Sequence, residues 1–176
     1  MKKLEALSIS IGVLGAVDTF LTAEFIKVPV WVTFIAWASF FILGGKTAGL
    51  VRSIASNLTG IAIASATLLV IALAGESSLV AAVCVGVGSA AMVQASRLPL
   101  LAAIPAIVWG FASTVGTTAA TGQPITTPGL DNPALVAAAA MIIGVLFGYV
   151  SELWADAMTR TVPATEPLPA AQVSHA

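Results

Sequence analysis

Charge is what this sequence most lacks. Of its 176 residues, 9% are Asp, Glu, Lys or Arg, against 59% hydrophobic residues and a mean hydropathy of +1.03. A soluble domain carries about 25% charged residues, so these few cannot cover a water-facing surface of this size. The expected solvent, and the first expected partner, is the lipid bilayer. The net charge of −1 offers no basic face to nucleic acid, and no nucleic-acid partner is expected. A single cysteine excludes an intrachain disulfide and a cysteine-rich metal site. That residue, Cys84, lies in VAAVCVGVG and reads as a small lipid- or helix-facing side chain. The sole histidine, His175, sits next to the last residue in a Pro/Ala tail, where a solvated side chain is the simple reading because a metal site needs several converging ligands. No Cys/His pair and no glycine loop leading to a Lys-Ser/Thr phosphate cradle is present. Seryl chemistry would need a base, for which Asp18 alone is a poor candidate. Enzyme activity, cofactor and metal are therefore not expected.

What is present is a series of long apolar runs. The first spans 6–26, broken only by Asp18 and Glu24, behind Met1-Lys2-Lys3. A cleaved signal peptide opens similarly, but no small-x-small site follows Leu7 to Val17, and the rest of the chain is equally apolar; a retained helix is expected. The second run, 29–45, is at the lower limit for a span and could cross fully or re-enter. Helices are then expected over 50–74, 79–97, 99–118 and 133–154, with a polar turn at Gly75-Glu76-Ser77-Ser78 and a polar loop over 119–132. Asp131 or Asn132 would cap the last helix, with Pro133 at its first position. The reading is an all-α polytopic membrane protein of six transmembrane helices, one membrane domain over 1–160 and a disordered cytoplasmic tail over 161–176.

Basic residues give the orientation. With six spans and an inside N-terminus, Lys2, Lys3, Lys46, Arg52, Arg97 and Arg160 fall on the cytoplasmic side and only Lys27 outside. Five or seven spans would misplace Arg160. Trp31 and Trp154 lie near helix ends, where indole rings favour the interface. The halves also echo one another: Pro29 and TFIAWASFF resemble Pro99 to Pro105 and AIVWGFAST, Ala38-Ser39 falls on Ala112-Ser113, and Leu50-Val51 on Leu135-Val136. Three helices per half would make this a 3+3 inverted repeat, an arrangement in which transporters place their sites near the midplane.

Polar residues inside the spans form a candidate path: Asp18, Ser39, Asn57, Gln94, Ser113 and Thr117. An intramembrane carboxylate suggests a role by default; Asp18 reads either as a water-facing or proton-accepting group, or as an acid snorkelling outward near Lys27. Glu24 reads as the partner of Lys27 in an interfacial pair. Asn57, beside Ser53, Ser56 and Thr59, reads as interhelical glue worth about 1 kcal/mol or as the lining of a narrow path. Ser39, Ser113, Thr114, Thr117 and Thr118 could join it, although such hydroxyls also satisfy their own helix carbonyls. Asn132-Pro133-Ala134 spells a water-channel signature, but it occurs once, at the start of a full helix, and capping explains it. Gly144-x-x-x-Gly148 extends the small residues Ala137 and Ala140 and implies close packing, either within the fold or between copies.

The stretch VPVWVTFIAWASFFILGGKTAGLVRSIASNLTGI resembles the YcdZ-like bacterial inner-membrane proteins, a family catalogued as a domain of unknown function. The likeness rests on Pro29-Val30-Trp31, Trp37-Ala38-Ser39-Phe40-Phe41, Gly44-Gly45 and the Asn57-x-x-Gly60 step, and extends over 6–155. Asp18 departs from it, because similar proteins are apolar or aromatic there. The resemblance implies a bacterial inner-membrane location and supplies no activity or cofactor. Together these features lead us to expect a small channel or transporter for a small neutral solute, a homo-oligomer by virtue of its small body. The alternative is a non-transporting protein that packs with partner membrane proteins.

Overall fold

The computed structural model describes residues 1–75 and 77–160. The expected disordered tail over 161–176, with His175, lies outside the described residues. Regular structure among the described residues is entirely helical. The six main helices are α1 (Lys3–Leu21), α2 (Val30–Ile42), α3 (Lys46–Ala74), α4 (Ser78–Ala95), α5 (Ile104–Thr121) and α6 (Pro133–Arg160). Four segments are long and apolar enough to cross a membrane: Lys3–Ile26, Lys46–Ala74, Ser78–Ala95 and Pro133–Thr159. The apolar helical bundle is that of a membrane protein.

The helix ends follow local chemistry. The last turn of the first apolar run is a π-helical segment, Thr22–Ile26, closed by Lys27 in the left-handed conformation. Ser77 accepts from the Val80 N–H at 3.2 Å and starts α4, while Gly75 and Gly122 terminate α3 and α5 with positive φ, the conformation that glycine adopts without strain. Asn132, rather than Asp131, caps α6: its Oδ1 accepts from the Ala134 N–H at 2.9 Å. The same side chain donates to the Ile125 and Thr127 carbonyls, each at 2.8 Å, folding the loop onto the helix start. The Asn-Pro-Ala triplet is thus spent on capping.

Several boundaries differ from expectation, among them the start of α3, at Lys46 rather than 50, and the end of α5, at Thr121 rather than 118. The second helix has 13 residues, because Leu43, Gly44 and Gly45 already belong to the turn. The fifth does not run on from Pro99. A short 3-10 turn, Pro99–Leu101, precedes it, and α5 begins at Ile104 with Pro105 in its first turn, since of two prolines only one can occupy a helix start. The sixth helix continues past Trp154 to Arg160, its added turns held by buried Ala155 and by Asp156, 3.8 Å from Lys3 Nζ.

Four helices, α2, α3, α5 and α6, make the interior. The broadest contacts are α3 on α5 and α2 on α6; α1 lies against α6 and α4 against α3. The flanking pair buries little: Gly88 and Met92 on α4, and Ala6, Ser10, Gly15 and Asp18 on α1. Two crossings are close enough to need glycine. A Cβ on Gly60 would lie 2.7 Å from the Phe111 nitrogen, and one on Gly110 would lie 2.8 Å from the Asn57 carbonyl carbon, so α3 and α5 touch backbone to backbone. A Cβ on Gly144 would lie 2.7 Å from the Thr33 carbonyl carbon and one on Gly148 2.9 Å from the Phe40 ring. The Gly144/Gly148 face therefore meets α2 within the fold.

Candidate functional site

Helical spacing creates a seam of small and polar side chains where α3 meets α5. On α3 the buried small and polar positions include Ser53, Ser56, Asn57, Gly60, Ala64 and Thr67, with apolar Ile61 buried among them; on α5 they include Gly110, Ser113, Thr114 and Thr117. Both follow the three- and four-residue steps that keep one helix face towards one neighbour. The glycines let the backbones approach, and the polar side chains lie beside the crossing.

Two of these groups, Ser53 and Asn57, bond to each other and to Ser39. Ser39, on α2, shares a hydrogen bond with Ser53, and the Asn57 amide donates to Ser39 Oγ at 3.0 Å and to Ser53 Oγ at 3.4 Å. Ser39 also donates to the Ala36 carbonyl at 2.8 Å. Thr114 and Thr67 return their hydroxyls to their own helices. Other groups have no partner: Ser56 Oγ, Asn57 Oδ1, Ser113 Oγ and Thr117 Oγ1 are buried and unbonded. An unpaired amide or hydroxyl in an apolar interior costs roughly 1–3 kcal/mol, so four in one seam is a large concentration of unused hydrogen-bonding capacity.

Asp18 lies outside this seam, on α1. It is fully buried, its Oδ2 accepting from Thr33 Oγ1 at 2.5 Å and its Oδ1 unpartnered. The snorkelling reading is therefore corrected, since the side chain turns inward to α2. The Glu24–Lys27 pair is corrected too. Lys27 Nζ donates to the Ala23 carbonyl at 2.7 Å, and Glu24 is exposed. Gln94 is exposed on α4 and belongs to no interior polar group, because α4 presents only Gly88 and Met92 to the bundle. Of the six candidate positions, Ser39 and Asn57 are in direct contact, Ser113 and Thr117 share the α5 face of the seam, Asp18 stands apart, and Gln94 faces outward.

A crevice of about 590 Å³ opens at one end of the bundle, lined by Thr22, Lys27, Pro29, Thr121, Gln123 and Asp131 among others. Thr22 is one turn beyond Asp18, and Thr121 one turn beyond Thr117. Their hydroxyls donate to the Asp18 and Thr117 carbonyls, at 2.7 and 2.8 Å. The opposite end is closed by a carboxylate. Glu152, on α6 and 9% exposed, accepts from the Lys46 backbone N–H at 2.6 Å, at the first residue of α3. An anion at a helix N-terminus is favoured by the free N–H groups and the helix dipole. Gly45 has φ of +65°, and a Cβ there would lie 2.7 Å from Glu152 Oε1. Above this lock the Trp37 indole donates to Ser151 Oγ at 3.1 Å. Thr33, Ser151 and Glu152 were not among the candidates. Glu152 alone carried a signal, as the first carboxylate of an otherwise apolar helix.

No group of three or more His, Cys, Asp or Glu residues that could hold a metal occurs among the described residues. A family model described as "Protein of unknown function (DUF1097)" matches residues 8–156. No curated protein and no solved structure matches.

Proposed function

The chain belongs to the DUF1097 family, and we propose that it is a small channel or transporter for a small neutral solute. The observation that carries this is the set of unpartnered buried groups along the α3–α5 seam: Ser56, Asn57, Ser113 and Thr117. Helix glue would leave its donors and acceptors paired. Here an amide oxygen and three hydroxyls are free to exchange hydrogen bonds with a passing molecule. These groups are uncharged, which suits a neutral hydrogen-bonding solute better than an ion.

The proposed architecture is six spans in the bacterial inner membrane, with both termini cytoplasmic. Lys3 close to Asp156, and Lys46 bonded to Glu152, bring the N-terminus, the α2–α3 turn and the end of α6 to one end, as the basic residues require. Lys27 lines the crevice at the other. A 3+3 inverted repeat is supported by the packing. Pairing α1 with α4, α2 with α5 and α3 with α6 converts the α3–α5 contact into α6–α2, and α1–α6 into α4–α3. The register that sets Ser39 on Ser113 also sets Thr33 on Ile107, the two residues whose carbonyls face Gly144 and Gly60. The corresponding helices α2, of 13 residues, and α5, which follows the interrupted Pro99–Leu101 turn, both have a proline at their entry, and short or proline-interrupted segments in corresponding positions mark the sites of transporters built from inverted repeats. A body this small would function as a homo-oligomer.

The rival reading, a non-transporting protein that assembles with membrane partners, is favoured by the hydrogen bonds that join Ser39, Ser53 and the Asn57 amide nitrogen across α2 and α3. Proteoliposome swelling in glycerol and urea separates the two. Faster uptake than in empty vesicles, reduced by Asn57→Ala and Ser113→Ala in folded protein, is the expected result. Uptake equal to that of empty vesicles would sink the transport reading. A reporter joined after Gly122 should lie outside the cytoplasm; a cytoplasmic reporter would overturn the six-span topology.

A further inference from the structure

Asp18 is left unused by the neutral seam. Its carboxyl group is fully buried, one oxygen is held by Thr33 Oγ1, and the other has no partner. One turn further on, the helix changes to the π form over Thr22–Ile26, an irregularity frequent at functional sites. Thr22, the first residue of that turn, hydrogen-bonds the Asp18 carbonyl and lines the outer crevice. A single turn of helix thus separates a buried carboxyl group from an open crevice that carries Lys27, Gln123 and Asp131.

We propose that Asp18 is a proton-binding site exchanging with the outer crevice past the Thr22 turn, its proton moving in the same cycle as the solute. The second part rests on the transport reading above. In the uptake step a hydronium ion in the crevice gives up a proton, one of its O–H bonds breaking as an O–H bond forms at Oδ1. This leaves a neutral carboxyl group and water. In release the Oδ1–H bond breaks, the proton returns to water as hydronium and the carboxylate is restored. Oδ2 stays beside Thr33 Oγ1, whose one hydroxyl proton is also within reach of the Val30 carbonyl at 2.7 Å. A hard metal cation would need about six oxygen ligands. Here Oδ2 is engaged by Thr33, and the Thr22 hydroxyl is given to the Asp18 and Thr19 carbonyls, so the free ligand is a single oxygen. A proton needs no more.

Few other ionisable groups compete. α2 has none, and α6 has none before Tyr149. Glu152 and Asp156 lie at the far end with Lys46 and Lys3. Glu24 is exposed in the π turn, and Lys27 and Asp131 line the crevice itself.

Infrared difference spectroscopy of the purified full chain in lipid tests the site without any solute. A step between mildly alkaline and mildly acidic buffer should produce a reversible protonated-carboxyl band that is lost in Asp18→Asn and kept in Asp131→Asn. Asn can still accept from Thr33, and a thermal melt establishes that the variant is folded. A spectrum with no such band, or a band that survives Asp18→Asn, overturns the proposal. In vesicles, an imposed proton gradient should accelerate glycerol or urea uptake by the wild-type chain and have no effect on Asp18→Asn. Uptake that ignores the gradient in the wild type overturns the coupling and leaves transport intact. No uptake at all, with the band present, overturns transport and coupling together and leaves the proton site standing.

Discussion

Replacing Gly60 by alanine adds one methyl group to the most extensive helix contact in the molecule. The methyl carbon would lie 2.7 Å from the Phe111 backbone nitrogen, 2.9 Å from the Ile107 carbonyl carbon, and closer still to the Ile107 oxygen. All three are backbone atoms, so no side-chain rotation relieves the contact. Ordinary contact begins near 3.4 Å, and α5 must therefore withdraw by more than 0.7 Å, the gap between 3.4 and 2.7 Å. A separation of about 0.5–1 Å forfeits a quarter to a half of the dispersion attraction between facing atoms. It would be felt along the buried seam from Asn57 to Phe111, and overpacking in a well-fitted interior costs roughly 1–3 kcal/mol before that loss. The expected destabilisation is about 3 kcal/mol or more. Gly86→Ala is the matched control: it lies on α4, nothing approaches within 4 Å of its would-be Cβ, and the better helix former should stabilise by about 0.5–1 kcal/mol. Reversible unfolding in mixed micelles measures both. Equal stability of the two variants would refute the backbone-to-backbone crossing of α3 and α5, and with it the placement of the polar seam.

Glu152→Ala should destabilise by about 1–2 kcal/mol in the same assay, because the first N–H of α3 loses a charged acceptor; a neutral result would mean that the lock does not form. Gly45→Ala should match or exceed that loss, since its φ is +65° and its new methyl would crowd Glu152. Asn132→Ala removes one cap and two loop bonds, and should accelerate proteolysis within 122–132 while leaving uptake unchanged; an unaltered cleavage rate would count against the capping role. Met141→Ala, in the dry cluster with Val32, Phe40 and Val145, should cost roughly 2–5 kcal/mol yet leave the uptake rate of the surviving folded protein unchanged, and a large flux change there would move the path away from α3–α5.

Much of the scaffold was legible in the sequence because bilayer-spanning helices announce themselves by length and apolarity. Asn132-Pro133 marked the start of α6, and Asn57 stood out as an amide in an apolar run. Ser39 and Asn57 do meet, with Ser53 as a third member. What remained hidden depends on facing and on distance along the chain. A helix apolar on every side gives no clue to which side is buried, so exposed Gln94 on α4 could not be separated from interior Asn57. Pro99 and Pro105 each permit a helix start, and the choice between them is made by packing, with Leu101 buried against the α3–α5 cluster. The Glu152 contact with Lys46 joins positions 106 residues apart, a separation at which no local pattern operates. Asp18 was noticed for its charge, but its inward turn is decided by Thr33 on the next helix.

The two helix crossings that the proposed repeat relates differ in one chemically meaningful way. Aligning Gly60 with Gly144, whose would-be side chains meet equivalent carbonyls, is one residue off the Leu50-Val51 match to Leu135-Val136 and sets Ser53 opposite Ala137 and Asn57 opposite Met141. The α2–α6 crossing is packed with Val32, Ala36, Phe40, Ala137, Ala140, Met141 and Val145, while the α3–α5 crossing carries Asn57, Ser56, Ser113 and Thr117 with polar atoms unbonded. Polar groups occur at the α2–α6 crossing as well, but there they are paired, with the Trp37 indole donating to Ser151 Oγ at 3.1 Å, whereas the unbonded hydroxyls and the unbonded amide oxygen lie on α3 and α5. Backbone approach through glycine is sufficient for packing in lipid. The hydroxyls and the amide are additional to that need, and unpaired polar atoms oppose stability in an apolar interior. Four of the unbonded atoms lie on this one helix pair, which is what the proposed path would use, with the apolar α2–α6 crossing as the body against which it is held.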